Sequence, residues 1–78
     1  MLNLIIMNDM ECIFNGDANQ VKVTTSDGPL IILKNHAPYM AKLSGTIEYT
    51  DSYGKTINTK ADGGIIYTNG NKCVIIMD

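Results

Sequence analysis

Arginine is absent from this chain of 78 residues, and every one of its six basic residues is a lysine. Arginine's planar fork is the preferred tool for bidentate phosphate recognition. Its absence, a net charge of −2, and the scatter of Lys22, Lys34, Lys42, Lys55, Lys60 and Lys72 argue against nucleic acid as a partner. No apolar run approaches the ~20 residues of a membrane helix. The start of the chain has Leu2, Leu4, Ile5 and Ile6 but no basic flank or small-residue cleavage site, so no signal peptide is expected. Charged residues make up only 18% of the chain against 45% hydrophobic, which is a globular balance and not a disordered one. A single domain spanning residues 1–78 follows, large enough for a small core with a thin stability margin.

Cysteine and histidine are equally scarce. Cys12 and Cys73 lie far apart inside apolar, strand-like segments and read as two reduced core cysteines. Their separation offers no metal-ligand spacing, and a disulfide would need an oxidising compartment. His36, the lone histidine, has no nucleophile or carboxylate at an identifiable spacing. It reads as a turn residue that fixes a bend or lies at a protein interface. With no P-loop and no Gly-x-Ser-x-Gly, the sequence predicts no catalytic residues, no cofactor, no metal and no small-molecule substrate.

What remains is a succession of short strands. Leu2, Leu4 and Ile6 share one face of a first strand, Leu2–Met7, which Asn8-Asp9 can turn. Glu11–Asn15 follows and is expected to end at Asn15-Gly16. Gln20–Thr25 alternates with Val21 and Val23 inward. After the Asp27-Gly28 turn, the four apolar residues Leu30 to Leu33 fit a central strand buried on both faces. Ala37–Leu43 has helix-forming composition but also alternates, and it is assigned as a strand. Beyond Ser44-Gly45 the pattern gives Thr46–Thr50, a loop at Asp51-Ser52-Tyr53-Gly54, Lys55–Lys60, and a bend at Gly63-Gly64 where backbone approaches backbone. Ile65–Thr68 and Lys72–Met77 close the chain as a hairpin about Asn69-Gly70-Asn71. Tyr49 and Tyr67 are assigned to the core, Tyr53 to an exposed loop, and Met10 and Met40 to core filling or interface anchoring. The fold class is all-β: a small two-layer β-sandwich or flattened barrel of about 8–10 short strands.

The segment Gly28 to Pro38, reading Gly-Pro-Leu-Ile-Ile-Leu-Lys-Asn-His-Ala-Pro, resembles the Gly-x-x-Gly-Ile-Leu-Pro-x-His-Ala-Pro signature of the ε subunit of F-type ATP synthase. Ile13-Phe14-Asn15-Gly16 followed by Val21-Lys22-Val23 is similar to that family's Val-Phe-x-Gly and its valine-rich third strand. Gly63 to Ile66 resembles its Gly-Gly segment, and Asn71 to Asp78 its closing strand. The blocks fall in family order over almost the whole chain.

The resemblance implies the family's N-terminal β-sandwich, a non-catalytic rotor subunit of a proton-translocating enzyme. Such a subunit is wedged between γ and the polar loops of the c-ring, on the cytoplasmic face of a bacterial inner membrane or its organellar equivalent. Carried over by motif, Asp27, Gly28 and Pro29 face the c-ring, while Asn8, His36, Ala37 and Pro38 face γ. Four positions depart from the pattern. Pro29 stands where the family often has an acid, so a charge pair with the ring is either absent or carried by Asp27. Ile31 replaces the motif's second glycine, Lys34 its proline, and Asn8 the proline that often ends the first strand. The chain ends where the family's inhibitory helical hairpin begins, so the expectation is a coupling subunit without that arm. A lipoyl- or biotinyl-type carrier domain modified on Lys60 is the alternative, because Thr59-Lys60-Ala61 loosely resembles the modified tip of that class.

Overall fold

A computed structural model describes all 78 residues and contains seven strands and no helix. In chain order these are β1 (Leu2–Met7), β2 (Cys12–Thr25), β3 (Gly28–Ile32), β4 (His36–Asp51), β5 (Thr56–Ala61), β6 (Gly64–Gly70) and β7 (Lys72–Met77). Two of them are too long to be straight. A 16-residue strand such as β4 would extend about 50 Å if flat, whereas the molecule measures 27 × 25 × 17 Å. Both β2 and β4 therefore bend, and each serves two layers.

The pairings show how. Residues 12–18 of β2 pair with β1, and residues 21–25 with β3, with a register shift between Ala18 and Gln20. Residues 36–42 of β4 pair with β6, while residues 43–51 pair with β2 and β5. One layer runs β2–β1–β7–β6–β4 through the first halves of the long strands, and the other runs β3–β2–β4–β5 through their second halves. The β2–β4 pairing closes the sheet on itself. Counting each half separately gives nine strand segments, the two-layer sandwich the sequence predicts.

The core lies between the layers and follows the alternation. Leu2, Leu4, Ile6, Val21, Ile32, Ile47, Ile66, Cys73 and Ile75 are fully enclosed, with Val23, Tyr49 and Met77 nearly so. The Phe14 ring packs against Tyr49 with centroids 4.6 Å apart, an aromatic contact that adds to the area buried. Thr25 and Thr68, the two buried polar residues, both bond to backbone: Thr25 Oγ1 donates to Gly28 O at 2.8 Å and Thr68 Oγ1 to Lys72 O at 3.2 Å. The turns after β1 and β4 form where the sequence places them. Asn8 Oδ1 accepts from the Met10 and Glu11 amides, and Asp51 Oδ1 accepts from those of Tyr53 and Lys55. Ala37–Leu43 is strand, as assigned.

Five expectations need correction. Leu30–Leu33 is no central strand: β3 pairs only with β2, and Ile31 and Leu33 are each 51% exposed. An apolar run signals apolar surroundings but does not say whether a strand or a partner supplies them. Asn15-Gly16 does not end a strand, because Gly16 sits in register with Leu4 inside β2, and the ring of Phe14 lies over it. Ser44-Gly45 likewise lies within β4, at its bend. Tyr67 faces outward, since its neighbours Ile66 and Thr68 take the two inward positions. Cys12 is exposed, in register with the outward-pointing Met7.

The two thiols make a testable pair. Burial pushes Cys73 from 9.0 up to about 12, because a thiolate would have to form without water. A raised pKa means the folded state holds the proton more tightly. The associated stability is complete below pH 9 and lost as pH rises through the 9–12 window. At pH 10 the loss is on the order of 1 kcal/mol. The urea midpoint should fall between pH 7 and 10, and Cys73→Ala should flatten that fall. In the native protein a maleimide should label Cys12 within seconds and Cys73 only on unfolding.

Candidate interaction surfaces

The outer faces of the two layers differ in kind. On the five-segment layer, register places Met40, Tyr67, Val74 and Ile5 in one row across four strands. The adjacent row reads Lys42, Ile65, Ile76, Met7 and Cys12. Seven large apolar side chains thus form one continuous outer face, with Met40 63% exposed and Ile65 and Ile76 each 47%. A third row of Asn69, Lys72, Asn3 and Asp17 bounds it with polar groups. The other layer presents Lys22, Thr24, Thr46, Glu48, Asn58 and Lys60. There the Lys22–Glu48 ion pair spans 3.7 Å between an exposed lysine and a half-buried glutamate and contributes little to stability. Contiguous apolar patches on small soluble domains mark contact surfaces.

The γ-side candidates border the apolar face on two separate margins, Asn8 on one and His36–Pro38 on the other. Asn8 directly follows Met7 at one margin, and Pro38 lies two residues before Met40 at the opposite one. Three strand spacings, about 14 Å, separate β1 from β4 across the layer. His36 is held by its surroundings. It pairs with Gly70, its Nδ1 lies 2.7 Å from the Ala37 carbonyl oxygen as a donor would, and the preceding Asn35 amide donates to Asn71 Oδ1. No nucleophile or carboxylate is bonded to it. Ala37 and Pro38 are exposed beside it.

Asp27 lies in the β2–β3 turn, and Gly28 and Pro29 open β3 in register with Thr25 and Thr24. Asp27 N donates to Thr25 Oγ1 at 3.1 Å, and Ser26 N donates to Lys42 O at 3.0 Å. Asp27 Oδ2 accepts from the Tyr39 hydroxyl at 2.7 Å. That bond holds the proton on the phenol and raises the Tyr39 pKa above the ordinary tyrosine value. Lys60, the carrier alternative, is not at a hairpin tip: it lies within β5, paired with Thr46. The two largest surface hollows, about 350 and 200 Å³, are lined by turn and strand residues around Gly63-Gly64 and around Lys22-Glu48.

Sequence reasoning missed the apolar face itself. The signal was present in Ile65, Tyr67, Val74 and Ile76, which put apolar residues at outward positions of strands whose inward positions were already apolar. A strand apolar on both sides is covered on both sides, and here only one cover belongs to the chain.

A small closed β-sandwich with one apolar outer face and a side-chain-braced turn has the surface of an interaction module. Over residues 1–78 the chain matches the family model described as ATP synthase, Delta/Epsilon chain, beta-sandwich domain, and it belongs to that family. It is 31% identical over 75 residues to the ATP synthase epsilon chain of Micrococcus luteus, covering 95% of this chain and 82% of that one. To the epsilon chain of Chlorobium limicola it is 29% identical over 76 residues, covering 96% and 86%. Among solved structures, a chain of the Euglena gracilis mitochondrial ATP synthase superposes with a TM-score of 0.90 at 20% identity. A chain of the Tetrahymena thermophila mitochondrial ATP synthase central stalk and c-ring superposes at 0.80 and 15%. This chain spans 49% of the first of these and 63% of the second, so the likeness is one of fold over a part of each.

Proposed function

We propose that this domain is a non-catalytic subunit of the central stalk of an F-type, proton-translocating ATP synthase, joining γ to the c-ring so that rotation of the ring is passed to the catalytic head. The observation that carries this reading is the asymmetry of the two faces. Seven apolar side chains on one outer layer suit a permanent partner, since obligate interfaces resemble a core cut in half. That face is assigned to γ, with Asn8 and the His36–Pro38 segment on its margins. The Asp27–Pro29 turn is assigned to the polar loops of the ring. The domain is membrane-associated through the complex, and the bacterial source of its relatives favours the cytoplasmic face of the inner membrane.

The test is capture of the tagged chain from its native membrane extract. The expected result is co-purification of γ and c-ring. Recovery of the chain free of both, or with an attached lipoyl or biotinyl mass on Lys60, would overturn the reading. Within the complex, His36→Ala should weaken γ association by about 3–10-fold and leave the fold intact. Unchanged γ binding would remove His36 from the interface.

A further inference from the structure

We propose that Tyr39 is a positioning residue: its hydroxyl holds the Asp27 carboxylate, and with it the Asp27–Gly28–Pro29 turn, in the orientation that meets a hydrogen-bond donor on the c-ring. The inference rests on the assignment of that turn to the ring.

Three observations carry it. First, the Tyr39–Asp27 bond joins separate parts of the fold. Tyr39 belongs to the first half of β4 and Asp27 to the β2–β3 turn, twelve positions earlier, yet oxygen meets oxygen at 2.7 Å. The other hydrogen bonds between two side chains, Thr50–Thr56 at 3.3 Å and Asn69–Tyr67 at 3.4 Å, are longer and lie within single hairpins or strands. Second, the donor is itself held. Tyr39 is in register with Thr68 of β6, and the His36 ring stands edge-on to it at 6.4 Å and 68°. Third, the base of the turn is fixed independently, by Thr25 Oγ1 bonding both Asp27 N and Gly28 O and by Ser26 N bonding Lys42 O. The backbone is set by Thr25, and the carboxylate is aimed by Tyr39.

The chemistry follows from the geometry. Oδ2 is taken by the phenol, which leaves Oδ1 to accept from a cationic or amide donor. Charge-assisted bonds of this kind are the strong ones, and they depend on aim. With a proline at position 29, Asp27 is the acid this turn offers a partner. A carboxylate on an exposed turn otherwise samples several rotamers, and freezing them on docking weakens association by about 3–10-fold per side chain. Tyr39 removes that loss before the ring arrives.

The experiment uses the assembled γ–chain complex titrated against purified c-rings. Tyr39→Phe keeps the ring that packs beside His36 and deletes only the hydroxyl. It should weaken ring association about 3–10-fold, with γ affinity and the urea midpoint unchanged. In an Asp27→Ala background the same substitution should have no further effect, which a merely structural role would not produce. Equal losses with and without Asp27, or a parallel fall in γ affinity, would overturn the proposal. So would an unchanged ring affinity in Tyr39→Phe where Asp27→Ala weakens it, although the ring assignment would then survive. If neither substitution alters ring affinity, the assignment of the turn to the ring fails and the positioning role fails with it.

Discussion

Gly64→Ala is expected to remove about half of the domain's stability and to lower its urea midpoint accordingly. Gly64 has φ of +135°, a backbone conformation that side-chain-bearing residues rarely adopt. A Cβ there would also overlap the Ile76 carbonyl oxygen and lie 2.9 Å from Met77 Cα. Both obstacles are backbone, so no rotamer change relieves them. Relief requires moving the end of β7, which pairs with Gly64 through Met77 and with β1 through Ile76. Strain of about 1–3 kcal/mol combines with an overpacking cost of similar size. A domain of this length has only about 4–12 kcal/mol in all. Gly28→Ala separates the two effects. Its φ is +110° but no atom lies within 4 Å of the added carbon, so it should lose only the strain. Urea unfolding followed by circular dichroism measures both. A folded Gly64→Ala with a wild-type midpoint would refute the packing argument.

The second large effect is expected at the apolar face. Ile76→Lys should lower γ affinity at least about 100-fold, or roughly 2.8 kcal/mol, because the ammonium would be buried against the partner without a counter-charge. Ile76 is flanked in its row by Ile65 and Met7 and lies on the side of the patch away from the polar third row. Its side chain already points outward, so the isolated domain should lose little, with a thermal midpoint within a few degrees of wild type. Thr46→Lys on the opposite layer is the matched control and should bind γ normally. Titration of the purified chain into γ distinguishes the two. Equal affinity for wild type and Ile76→Lys would show that γ docks elsewhere, and the polar face would become the candidate.

These expectations differ in what they draw from sequence. Gly63-Gly64 was legible as a place of close backbone approach, since glycine pairs inside strand patterns mark such places. The obstructing atom was not legible, because Ile76 comes to Gly64 only through the β6–β7 register. The γ-side candidates Asn8 and His36 came from motif resemblance. The structure sets them at opposite margins of one face and supplies what joins them, the apolar rows between. Those rows draw on β1, β4, β6 and β7, and no contiguous stretch of chain contains them.

The sequence by itself determined that the chain is all strand, where several of its turns lie, and that Leu2, Leu4, Ile6, Val21, Val23, Ile47 and Tyr49 point inward. Side chains alternate across a strand with a period of two whatever the strand is paired with. Glycine, asparagine and aspartate turn the chain by local geometry. Tertiary structure alone decided that β3 is an edge, that β2 and β4 run unbroken through Asn15-Gly16 and Ser44-Gly45 and bend into both layers, and that the outward residues of four strands meet in one patch. Neighbour choice is long-range, because β1 pairs in parallel with a strand that begins 65 positions after its own end. An apolar side chain satisfied by a core and one awaiting a partner obey the same physics, and only the assembled layers show which is which.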